Sequence, residues 1–152
     1  MTDPLKPHAH EPNPDPPPGP VTIEVLTPGQ EPRALTLAAL AHLPQMAVAN
    51  CFIVSTGHGT SGPFTFSGPR LQAVLEAYSR GSWEQVEVVS ADGFGTRLTG
   101  TELAGVDRPI LLATHIDGLP LTRAAGLVRL IVPSELDDAL RQVKWVRTLR
   151  MR

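Results

Sequence analysis

The sequence predicts an α+β fold with mixed, largely antiparallel β-sheets and short helices. Three observations predict it: alternating apolar and polar segments outnumber helix-periodic ones, tight-turn sequences recur between them, and no regular strand-helix-strand order runs along the chain. The 152 residues amount to one modest domain. Eight of the 16 prolines fall in residues 1–20, where Leu5 is the only large aliphatic residue after Met1. Such a segment has no apolar surface to bury, so 1–20 is expected to be a disordered proline-rich tail and 21–152 the folded domain.

The elements follow in order. Val21, Ile23 and Val25 alternate with Thr22 and Glu24, and Thr27-Pro28-Gly29-Gln30 turns the chain into a short segment at 33–35, which reads as a hairpin. Thr36 caps a short helix that Pro44 ends, with Leu37, Leu40 and Leu43 on one face. A strand is predicted over 46–54, then a polar loop over 55–63, a short strand at 64–66 and a helix opened by Pro69 that buries Leu71, Val74 and Leu75. Strand 86–90 turns at Asp92-Gly93 and pairs back through 97–99, after which Thr101 caps one helical turn. The run 110–116 reads as one central strand ending at Asp117-Gly118; 128–132 is a strand, 134–140 a capped helical turn, and 143–149 the last strand.

Charge excludes several classes. Thirteen Lys and Arg against 15 Asp and Glu give a net charge of −2, which argues against a nucleic-acid partner. No basic segment followed by an apolar stretch opens the chain and no apolar run reaches bilayer length, so no membrane association is expected and a cytoplasmic location is. One cysteine makes no internal disulfide, and no His pair has metal-ligand spacing, which argues against zinc.

Two places carry candidate chemistry on their own residues. In the 55–63 loop, Gly57 and Gly59 leave backbone amides accessible, Thr56, Thr60 and Ser61 offer hydroxyls, and His58 adds a donor that titrates near neutrality; together they suit an oxyanion or phosphate. No Gly-Lys-Ser/Thr follows, so this is not a nucleotide loop of the Walker type. Cys51 shares a face with Ala47, Ala49 and Ile53 by strand alternation, which makes it a packed core thiol.

Five segments in order then resemble the molybdopterin-binding domain of the sulfite oxidase family, especially its small bacterial members: Phe66-Ser67-Gly68, Ser90-Ala91-Asp92-Gly93-Phe94, Asp117-Gly118-Leu119-Pro120-Leu121, Arg129-Leu130-Ile131-Val132-Pro133 and Val143-Lys144-Trp145-Val146. The resemblance implies a molybdopterin cofactor whose molybdenum takes one protein thiolate, and a redox reaction on a small oxo compound or oxyanion. It implies that Cys51 is the metal ligand, that Thr56, Gly57, His58 and Thr60 line the cofactor or substrate, with His58 catalytic, and that Asp92, Arg129 and Lys144 sit at the pterin and its phosphate. A small-molecule substrate and a redox partner protein follow from that activity. The chain departs from the family where the thiolate position falls near Val54, and where Ala124-Ala125-Gly126-Leu127 replaces a Gly-Gly-Pro-like stretch. The alternative reading is a non-catalytic anion- or pterin-binding module of the same fold that has lost the metal thiolate.

Overall fold

The computed structural model describes residues 22–55, 59–79, 83–91, 93–105, 109–122, 126–133 and 143–152. The expected tail at 1–20, the helical turn at 134–140 and the residues Thr56, Gly57, His58 and Asp92 lie outside them.

The opening hairpin forms as its alternation predicts. β1 (Thr22–Leu26) buries Ile23 and Val25 and pairs antiparallel with β2 (Arg33–Thr36). Thr36 leaves the strand as an N-cap, its Oγ1 accepting from the Ala39 amide at 3.2 Å, and α1 (Leu37–His42) follows. Gln45 Nε2 donates to the Leu40 and Leu43 carbonyls, satisfying acceptors that the end of the helix leaves open.

β3 (Met46–Ser55) and β4 (Gly59–Gly68) form a long antiparallel ribbon. Most of the polar stretch read as a loop is therefore strand: Ser55 pairs with Gly59, Val54 with Thr60 and Ile53 with Ser61. Weak β-propensity at the Gly and Ser positions is overridden because β3 continues to pair with β4 as far as Ser55. α2 (Leu71–Tyr78) buries Leu71, Val74 and Leu75. β5 (Gln85–Ser90) and β6 (Gly95–Thr99) make the second predicted hairpin. α3 (Gly100–Gly105) is capped by Thr99 rather than Thr101: Glu102 N–H donates to Thr99 Oγ1 at 3.0 Å, and Thr99 N–H donates to Glu102 Oε2 at 3.3 Å. That reciprocal pair is a capping box, and it fixes the helix start two residues earlier than expected.

The apolar run at 110–116 is two strands. β7 (Leu111–Ala113) pairs with β10 (Arg129–Ile131), whereas β8 (His115–Ile116) pairs with β4 and with β9 (Leu119–Pro120). The chain changes sheets at Thr114, whose amide donates to the Ser67 carbonyl at 2.9 Å. β11 (Val146–Met151) begins later than predicted, because Lys144 and Trp145 form an irregular corner with Trp145 at φ 53°.

The larger sheet has the order β2-β1-β11-β5-β6, with β1 and β11 parallel and its other pairs antiparallel; the second has the order β3-β4-β8-β9. Between two apolar clusters stands the β7–β10 ribbon. Leu112 and Leu130 face the cluster built on Ile23, Val25, Leu71, Leu75, Val88 and Leu149, while Leu111, Ala113 and Ile131 face Val48, Cys51, Phe66 and Leu121. Full burial of each such aliphatic side chain contributes about 1.5–3 kcal/mol. Gly68 lets the layers close, since a Cβ there would run into the Leu112 carbonyl oxygen and lie 2.9 Å from Ala113 Cα. Among the described residues no helix is long and apolar enough to cross a membrane, which leaves spanning by strands unaddressed.

Candidate functional site

The segment around β10 is held on both sides. Arg129 pairs with Ala113, and on the opposite edge Leu130 N–H donates to the Val143 carbonyl at 2.7 Å. The Val146 amide donates to the Val128 carbonyl at 3.0 Å and the Trp145 amide to the Gly126 carbonyl at 2.9 Å. These bonds lay 143–146 alongside 126–130, bringing Arg129 and Lys144, 15 positions apart in sequence, to one place.

Gly126 is what lets them meet. It has φ +116°, and a Cβ built on it would stand 2.8 Å from Lys144 Cβ and 3.0 Å from Arg129 Cγ. Any larger residue would push the two stems apart. Lys144 Nζ sits 4.3 Å from the centroid of the Trp145 ring, a cation–π contact that holds the ammonium against a buried aromatic. The Trp145 carbonyl in turn accepts from the Ala91 amide at 2.9 Å, tying in the turn in which Ser90 N–H donates to the Phe94 carbonyl at 2.7 Å. That turn flanks position 92, so the segment predicted to carry Asp92 abuts the Arg129–Lys144 corner, although Asp92 itself is outside the described residues.

Arg129 is buried, and its Nε makes no hydrogen bond among the described residues, while the residue is held by other contacts. Burial lowers its pKa to about 10, which still leaves the guanidinium charged at neutral pH. A cation taken out of water is electrostatically costly, and a bound anion offsets that cost. By strand alternation Arg129 shares a ribbon face with Ile131, the face that looks toward Cys51.

Cys51 is 1% exposed and packs with Val48, Phe66, Leu111, Ala113, Leu121 and Ile131. Its Sγ lies 3.4 Å from the Val48 carbonyl oxygen and 3.7 Å from that of Ala49. The expected company of Ala47 and Ala49 is not found: both are exposed, and Cys51 lies on the Val48 side. Asn50 at φ 57° and register shifts on both sides of Cys51 reverse the alternation. Thr60 is placed in β4 opposite Val54, and Thr56, Gly57 and His58 belong to the undescribed stretch between β3 and β4. Among the described residues no three His, Cys, Asp or Glu side chains group as metal ligands.

Sequence reasoning singled out Arg129 and Lys144 but missed Gly126, on which their stems converge, and Trp145, over which the Lys144 ammonium lies. The isolated glycine ahead of an apolar strand was the available signal.

A family model described as oxidoreductase molybdopterin binding domain matches residues 10–152. No curated protein matches the sequence. Among solved structures the fold is similar to the sulfane dehydrogenase SoxCD from Paracoccus pantotrophus, with a TM-score of 0.66 at 22% identity, over 86% of this chain and 37% of that one. At that identity the likeness speaks for the fold, and this chain spans little more than a third of the neighbour's length.

Proposed function

The chain belongs to the oxidoreductase molybdopterin binding domain family, and from that premise we propose that it binds molybdopterin, with Arg129 and Lys144 at the cofactor's anionic end. In this reading it serves as an oxidoreductase domain for a small oxo compound or oxyanion and exchanges electrons with a redox partner protein. One observation carries it: the stems of a buried arginine and of a lysine converge on a glycine that leaves them room. A phosphate is the ligand such a pair suits, since Arg offers a planar fork and Lys a point charge.

The residues fit the organic, anionic part of the cofactor. Arg129 supplies charge in a low-dielectric place where attraction to phosphate is strong, and the ribbon on which it sits keeps water from competing. Lys144 is oriented by the Trp145 face, and the 90–94 turn closes the corner from the β5 side. When bound, the cofactor supplies redox chemistry at its molybdenum. Cys51 is the thiolate of this reading, and His58 with Thr56, Gly57 and Thr60 contributes donors from the β3–β4 end. For Cys51 to serve, its sulfur must leave the apolar cluster, which asks the Asn50 bulge to rearrange.

That same observation favours a second reading, in which the fold and the anion pair are kept and the thiol is an inert core residue, so that pterin is bound without turnover. Expression in molybdate-fed cells, followed by metal analysis and fluorescence of the pterin released on denaturation, separates the two. The first reading expects pterin and metal in near equal amounts, with Cys51→Ser losing metal. The second expects pterin with no bound metal. Absence of both would reject either reading.

A further inference from the structure

We propose that the outward face of the five-stranded sheet is a docking surface for an acidic protein. This inference does not depend on cofactor binding. Strand register assigns most of this face, and the groove lining places Arg147, at the bulge in β11, on the same side. Ile23, Val25, Val86, Val88, Leu98 and Leu149 point inward to the core, so their neighbours point out. Among the described residues that outward face carries Arg97, Arg147, Arg150 and Arg152 against Glu24 and Glu87. The full chain has a net charge of −2, so this face opposes the sign of the rest of the molecule.

The arginines are set in place by a buried carboxylate. Glu87 is opposite Arg150 on one side and Arg97 on the other, and Arg152 Nε donates to its Oε1. Glu87 is only 3% exposed although it points away from the core, so neighbouring side chains lie over it. One covered carboxylate among three arginines leaves a surplus of positive charge on this face, and the side chains of Arg147 and Arg150 are exposed there. Beside this cluster a groove of about 410 Å³ runs past Arg147 over Thr22, Ala34 and Thr148, small side chains that admit a partner's chain, with Glu24 in its floor. A nucleic acid suits the face less well, because Glu24 and Glu87 stand among the arginines where consecutive phosphates would have to pass. A protein can place its carboxylates between those two positions.

The test is fluorescence anisotropy of the full chain with a fluorescein-labelled ten-residue polyglutamate peptide. Binding should weaken about fivefold or more between roughly 20 and 200 mM NaCl, as screening of exposed charges requires. The double substitution Arg147→Gln/Arg150→Gln should weaken it about tenfold at low salt, whereas Arg70→Gln, at the start of α2 behind the sheet, should change it less than about twofold. Thermal unfolding of each variant confirms that the fold is kept. Affinity unchanged in the double variant, or reduced as much by Arg70→Gln, overturns the proposal. So does tighter binding of a ten-nucleotide oligothymidylate than of the peptide.

Discussion

Arg129 and Lys144 approach each other across Gly126, so that a methyl group at 126 would lie 3.0 Å from Arg129 Cγ and 2.8 Å from Lys144 Cβ. The pair is assembled by backbone, through the bonds from Trp145 to Gly126 and from Leu130 to Val143, before either side chain meets a ligand. The convergence of the two stems is therefore fixed by the folded backbone itself.

Substituting the glycine should disturb the pair and the fold together. Gly126→Ala must adopt φ +116° and displace two side-chain stems, and it should cost about 1–3 kcal/mol in urea unfolding. Pterin content should fall in the same variant. A variant with unchanged stability and unchanged pterin would show that the close approach is unimportant.

Arg129 should contribute to ligand binding rather than to stability. Burial holds its pKa down at about 10, the sign of a cation that the folded state disfavours relative to water. Arg129→Met removes that penalty together with the contacts that hold the residue, so the ligand-free protein should lose no more than about 1 kcal/mol while its pterin content falls. Loss of several kcal/mol would instead assign Arg129 a structural role.

The pH dependence separates the two candidate anion holders. A depressed pKa means that the unfolded chain binds more protons above about pH 10, so the penalty is fully present below that value and is relieved as pH rises through it. Arg129 stays charged across pH 6 to 9, so phosphate-ester affinity should rise only as the ester loses its second proton near about pH 6 and be flat above about pH 7. Anion binding that needs a protonated His58 should instead decline as pH rises over the same range. Isothermal titration at several pH values reads the difference.

Gly68 offers a test of the layering alone. Gly68→Ala pushes a methyl group into the Leu112 carbonyl and Ala113 Cα, backbone atoms that have nowhere to go. The denaturant midpoint should drop by the equivalent of about 2–4 kcal/mol. A neutral result would mean that β4 and β7 are farther apart than described.

The hairpins and helices were legible in the sequence because short-range signals fix them. Ile23 and Val25 alternate with polar residues, Thr36 caps α1, and Asp92-Gly93 marks the turn between β5 and β6. The α+β class and the family followed from such segments in order. What the sequence concealed depends on partners far along the chain. Thr114 breaks the 110–116 run because Ser67 pulls its amide toward the second sheet, and periodicity has no term for that contact. The side on which Cys51 falls is reversed by one left-handed residue, Asn50, which a strict alternation rule skips over. The meeting of Arg129 and Lys144 was implied by family resemblance, whereas Gly126 as its physical cause needed the folded backbone.

The most direct measurement is the amount of pterin released on denaturation from protein made in molybdate-fed cells, compared between the parent chain and Arg129→Met/Lys144→Met. The account predicts close to one pterin per parent chain and less than about a tenth of that in the double variant, as loss of two charge-assisted contacts to phosphate requires. Equal pterin in the two proteins, or none in the parent, would contradict it.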